Sequence, residues 1–151
     1  HGREENLERV LAEIGMPDAL IHLGDSEGGE DTIPMLVTCP VYMVAGNCDF
    51  GALEPYDGLA AFDQVIVFYT HGHMYGVKYD LDTLADAAAA RGAQVALFGH
   101  THIPLAETRG RVFLFNPGSC GRCYTGADTY GILTLADGKV VGHEHKEVPK
   151  A

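Results

Sequence analysis

Apolar residues in the first stretch of the chain recur at helical spacing. Leu7, Val10, Leu11 and Ile14 share one face over residues 4–14, and Gly15 and Pro17 follow as stop signals. Four continuous apolar runs then read as buried strands, at 19–23, 41–45, 65–69 and 95–98. A helix is predicted over 81–91, with Asp80 as its cap and Gly92 closing it. The pattern changes after residue 103. Residues 104–108, 111–115, 130–135 and 139–148 read as short strands, and Asp137-Gly138 predicts a hairpin between the last two. Strand and helix alternate in front and strands dominate behind. Together they predict a layered α/β domain, a sheet-on-sheet sandwich with helices outside.

Composition narrows the picture. The chain has 151 residues and no linker, repeat or low-complexity stretch, so one domain over 1–151 is expected. The formal net charge of -11 argues against a bulk nucleic-acid-binding surface, which would be basic. It either keeps the protein soluble or feeds a cation site. No apolar run approaches the roughly 20 residues of a membrane-spanning helix, and the opening His1-Gly2-Arg3-Glu4-Glu5 has no signal-peptide character. A cytoplasmic location is the expectation. Of Cys39, Cys48, Cys120 and Cys123, the last two form one C-x-x-C. A structural zinc there lacks the second pair such a site requires.

Each of the four apolar strands ends at a glycine or threonine followed by a metal-type ligand. These are Gly24-Asp25, Gly46-Asn47-Cys48-Asp49, Thr70-His71-Gly72-His73 and Gly99-His100-Thr101-His102. If the strands run parallel, Asp25, Asn47, His71, His100 and His102 arrive on one rim, where α/β folds bind ligands. A lone Gly-Asp is usually a turn. Two imidazoles two apart after a buried strand rarely serve packing, and the four motifs in this order make a site the stronger reading. A carboxylate, an amide oxygen and three imidazoles suit Mn, Fe, Zn, Co or Ni better than Mg or Ca. A carboxylate can bridge two such ions, which would yield a hydroxide nucleophile near neutral pH.

The order of these motifs resembles the calcineurin-like metallophosphoesterase superfamily. That pattern runs Asp-x-His, Gly-Asp, Gly-Asn-His-Asp/Glu, His-Gly and Gly-His-x-His. Within it the chain resembles the small YfcE-like phosphodiesterase branch, through Gly-Asn-Cys-Asp at 46–49, Thr-His-Gly-His at 70–73 and Asn-Pro-Gly-Ser at 116–119. The resemblance implies a four-layer α/β/β/α sandwich and two divalent metal ions, Mn foremost, with Ni, Zn, Fe or Co as alternatives. It implies that Asp25 bridges the metals, that Asn47, His71 and His100 bind the second, and that His102 and His1 bind the first. It implies hydrolysis of a small phosphodiester by a hydroxide held between the ions.

Two departures bear on this. The aspartate of Asp-x-His would lie two residues before His1, and neither it nor the apolar first strand is within residues 1–151. The expectation is that the domain continues upstream of His1, the alternative being a form that lacks this ligand and strand. A domain without that central strand is expected to expose a sheet edge and to lose core. Cys48 stands where much of the superfamily has a histidine that assists the leaving group, which costs roughly 10²–10⁴-fold on poor leaving groups and favours activated diesters. Asp49 is expected to orient a ligand histidine. His73 either faces the substrate phosphate or is a surface histidine. His22 reads as a core or face histidine, and His143 and His145 as solvated. Asn116 and Ser119 are expected at the rim; Arg122 is either a phosphate contact or a plain surface charge. The alternative function is a non-catalytic scaffold like the retromer subunit of the same superfamily. A homo-oligomer would fit the exposed edges.

Overall fold

Helix α1 (Glu4–Ile14) forms where the apolar spacing places it. Glu4 and Glu5 occupy its first turn, where negative charge complements the helix dipole. Gly15 ends it in the left-handed region, φ 76°, with its amide donating to the Leu11 carbonyl at 2.9 Å. The computed structural model describes residues 4–27, 29, 31–49, 53–121 and 127–150. His1, Arg122 and Cys123 therefore lie outside the described residues.

Strands β1 (Leu20–His22) and β2 (Val41–Met43) pair in parallel. A second sheet contains β3 (Asp57–Phe62), β4 (Val65–Thr70), β5 (Val95–Leu97), β6 (Leu105–Arg109) and β7 (Val112–Asn116), in the order β3-β4-β5-β7-β6. Its inner strands β4, β5 and β7 are parallel and its outer strands antiparallel. The inner three are almost wholly buried, which explains their unbroken apolar sequences. Strands β8 (Thr129–Ala136) and β9 (Lys139–Glu147) form the predicted hairpin. Its turn uses Asp137 and Gly138 at φ 52° and 77°, the geometry that favours Asp-Gly.

Helix α2 (Asp82–Ala90) starts one residue later than predicted. Asp80 is not its cap, although Asp80 Oδ1 still accepts the Asp82 amide at 2.7 Å. Strand β3 is an addition to the predicted elements.

The layers follow from which faces are apolar. Leu84, Ala85 and Ala88 of α2 pack on the outer face of the five-stranded sheet, against Phe68, Ala96 and Leu114. The inner face presents Val67, Tyr69, Leu97 and Phe115 to Ile21, Leu23 and Val44 on one side and to Leu133, Leu135 and Val140 on the other. On the far side, α1 is tied to β8 by Tyr130 donating its hydroxyl proton to Glu13 at 2.6 Å. This is the four-layer α/β/β/α sandwich. Among the described residues the middle layer holds β1–β2 and β8–β9 as separate pairs. Between them runs an apolar cavity of about 880 Å³, lined by α1, β1 and β8 and ending at Asp25, His71, His100 and His102.

His143 is exposed, as expected, whereas His145 is half-buried. His145 stacks on Phe115 with centroids 4.5 Å apart, its Nε2 lies 2.7 Å from the Asn116 carbonyl, and His143 packs on Phe113. The hairpin is held to β7 by aromatic contact and a ring N–H. No helix among the described residues is long and apolar enough to cross a membrane.

Candidate active site

The strand tips converge on one imidazole. His71 follows β4 and is 2 % exposed. Its Nδ1 lies 2.7 Å from the Leu23 carbonyl oxygen at the end of β1. A carbonyl only accepts, so Nδ1 carries the proton and Nε2 of the neutral ring presents a lone pair. Nε2 nevertheless meets Asn47 Oδ1 at 3.0 Å, His100 Nδ1 at 3.2 Å and Asp25 Oδ2 at 3.3 Å. Two oxygens and a ring nitrogen crowd a lone pair, and either a proton or a cation at that point relieves the conflict. The spacing fits a cation. Donors bound at about 2.1 Å to one ion stand roughly 3.0 Å apart at right angles and roughly 3.4 Å apart at the tetrahedral angle. Among the described residues no three His, Cys, Asp or Glu side chains close round a point by themselves; the Asn47 amide oxygen is part of the convergence.

The electrostatics hold these groups in ligand form. Burial pushes His100 down to about 4, helped by neighbouring His71, so its ring is neutral at pH 7. For Asp25, burial opposes ionisation, but the adjoining His71 ring and the Cys48 amide, which donates to Oδ1 at 2.8 Å, outweigh it and bring the carboxyl to about 2. Burial, then the nearby His71, also lowers His73.

The backbone is bent to deliver these side chains. Asp25, His100 and His102 lie in the left-handed region, at φ 57°, 65° and 61°, a conformation that is costly outside glycine and concentrates at functional sites. Gly46 is required here, because a Cβ on it would stand 2.1 Å from Asp25 Oδ1.

The Asp49 carboxylate joins the first two loops. Its Oδ2 accepts the amides of Asp25 at 2.6 Å, Gly46 at 2.9 Å and Ser26 at 3.3 Å, and its Oδ1 accepts that of Glu27 at 2.7 Å. It therefore orients the Asp25 loop rather than a ligand histidine. Asn116, fully buried, anchors the histidine loop. Its Nδ2 donates to the Gly99 carbonyl at 3.2 Å and to Thr101 Oγ1 at 3.0 Å, while its Oδ1 accepts the Gly118 amide at 2.9 Å. Ser119 is also buried, its Oγ accepting the Gly121 amide; both residues brace loops beneath the rim.

His102 is buried and borders the same cavity as Asp25, His71 and His100. The His73 ring stands 5.3 Å from that of His71 and 6.0 Å from that of His100, which makes it part of the site and not a remote surface histidine. Cys48 is half-buried. His22 borders the cavity and accepts the Gly24 amide on Nδ1 at 3.2 Å. Sequence reasoning missed Tyr56, whose ring lies 5.6 Å from that of His73. Its one signal was an aromatic among the polar and small residues between two strands.

The comparisons with known proteins agree with this geometry. A model of the calcineurin-like phosphoesterase superfamily domain matches residues 1–138. The probable metallophosphoesterase YsnB of Bacillus subtilis is 36% identical over 140 residues, covering 89% of this chain and 79% of YsnB. Phosphodiesterase YfcE of Escherichia coli is 33% identical over 143 residues, covering 79% of this chain and 74% of YfcE. The crystal structure of Vps29 from Entamoeba histolytica complexed with zinc has a TM-score of 0.74 at 19% identity, over 93% of this chain and 89% of that one, and shares the fold. With a family match across nearly its whole length and relatives above 30% identity, the chain belongs to the calcineurin-like phosphoesterase superfamily.

Proposed function

We propose that the protein is a metal-dependent phosphodiesterase acting on small diesters at a two-metal site. The observation that carries this reading is the crowding of Asn47, His100 and Asp25 around Nε2 of His71. Asp25, Asn47, His71 and His100 would hold one divalent ion and share Asp25 with a second, held by His102 and His1. Mn fits the mixed oxygen and nitrogen donors best, with Ni, Zn, Fe or Co as alternatives. Bound ions would supply positive charge to a phosphoryl oxygen and acidify an attacking water. The chain's own residues do the rest. Asp49 fixes the loop carrying Asp25, Asn116 fixes that carrying His100 and His102, and the Leu23 carbonyl holds His71 in the tautomer that offers Nε2.

Cys48 leaves the leaving group without an imidazole acid. Diesters that expel a weakly basic alcohol are therefore the expected substrates. In Mn²⁺ or Ni²⁺, bis(4-nitrophenyl) phosphate should be hydrolysed, and Asp25→Ala or His100→Ala should each remove that activity with an unchanged far-UV spectrum. Full activity in either variant would refute the metal reading. A second reading, a protein-interaction scaffold without catalysis, is favoured by the fold likeness to Vps29. It predicts metal uptake without turnover of any diester.

A further inference from the structure

The candidate site has a wall that the metal chemistry does not use. Tyr56 is 53% exposed, yet its backbone is locked on both sides. The preceding Pro55 carbonyl accepts the amide of Ala45, at 2.8 Å, just before Gly46-Asn47. The following Asp57 pairs with Thr70, the residue before His71. The Thr70 hydroxyl lies 3.1 Å from the Tyr56 carbonyl oxygen and 2.7 Å from Asp57 Oδ1. Tyr75 donates its hydroxyl proton to Asp57 Oδ2 at 2.6 Å, bracing the same corner. Tyr56 is thus tied to the two strands that deliver Asn47 and His71.

The side chain points the same way. The Tyr56 and His73 rings meet at 70°, and His73 in turn stands against His71 and His100. A row of rings therefore leads from the metal ligands to an open aromatic surface. His73 is only half-buried, so part of its ring remains open beside Tyr56. An aromatic held in place before binding loses little freedom when a ligand ring stacks on it.

We propose that Tyr56 is a specificity-determining residue: its ring stacks the aromatic ester group that stays on the phosphate, while the phosphate lies against the histidines. The preferred substrates are then diesters in which the retained group is aryl or nucleoside rather than alkyl. This deepens the phosphodiesterase reading and rests on it.

The test holds the leaving group constant. Methyl, phenyl and thymidine 5′ esters of 4-nitrophenyl phosphate all release 4-nitrophenolate and differ only in the retained group. In Mn²⁺ the wild-type protein should show lower KM for the phenyl and thymidine esters than for the methyl ester. Tyr56→Ala should narrow that difference, raising the aromatic-ester KM on the order of tenfold more than the methyl-ester KM, with kcat little changed. Tyr56→Phe should keep the wild-type preference. Phenyl phosphate should likewise inhibit the wild type more tightly than methyl phosphate, and Tyr56→Ala should abolish the contrast. Equal KM ratios in wild type and Tyr56→Ala overturn the assignment while leaving the hydrolase reading intact. Failure of the wild type to hydrolyse all three esters overturns the hydrolase reading, and this inference with it.

Discussion

Asp49 is the residue whose role changes most between sequence and structure. From the motif alone it is one carboxylate beside a metal ligand. In the fold it accepts four backbone amides from two loops. Hydrogen bonds to a charged group are each worth about 1.5–3 kcal/mol, less where water competes. Asp49→Ala should therefore cost about 2–3 kcal/mol in denaturant unfolding and weaken Mn²⁺ binding about 10–100-fold by calorimetric titration. Asp49→Asn, which keeps one acceptor oxygen, should fall between. Wild-type stability in Asp49→Ala would mean that the two loops hold without it. The convergence of Asp25, Asn47, His71 and His100 was legible, because chain direction and strand ends suffice to bring them together. The bracing contacts of Asp49, Asn116 and Tyr56 were not, because most of their partners lie between 14 and 24 positions away and depend on register.

At the scale of elements, the continuous apolar strands and the Asp-Gly hairpin were readable to within about a residue. Strand β3 was not. Its sequence, Asp-Gly-Leu-Ala-Ala-Phe, has no β-branched residue. Gly58 is there because a Cβ would stand 2.1 Å from the Tyr69 ring opposite. Tertiary fit overrides local propensity at that strand. Strand β1 carries a pH dependence of its own. Burial, the main cause, lowers His22 from 6.5 to about 4. Between those values the unfolded chain binds the proton and the folded chain does not, so stability is lost as pH falls through that window. His100 contributes in the same direction. Asp25, held at about 2, adds a further loss only as pH falls from 3.8 towards 2. The urea midpoint of metal-free protein should therefore drop between pH 7 and 4.5, and His22→Gln should shallow the slope. An unchanged slope in His22→Gln would remove His22 as a cause.

For the whole molecule, the alternation of strand and helix was enough to predict the layers. The cavity between β1 and β8 matches the loss of core expected where residues 1–151 supply no apolar first strand. The family match over residues 1–138 spans both the motif-bearing front and the strand-rich back. The bent backbone at Asp25, His100 and His102 sets a tension between working and lasting. Side chains in the left-handed region cost on the order of 1–3 kcal/mol each, so the fold is less stable for carrying its ligands on these turns. His102→Gly should then unfold at higher denaturant than His102→Ala, by about 1 kcal/mol, while both lose the imidazole. A metal-free form of this protein would gain stability by drifting towards glycine at these turns, and the demand for a working site opposes that drift.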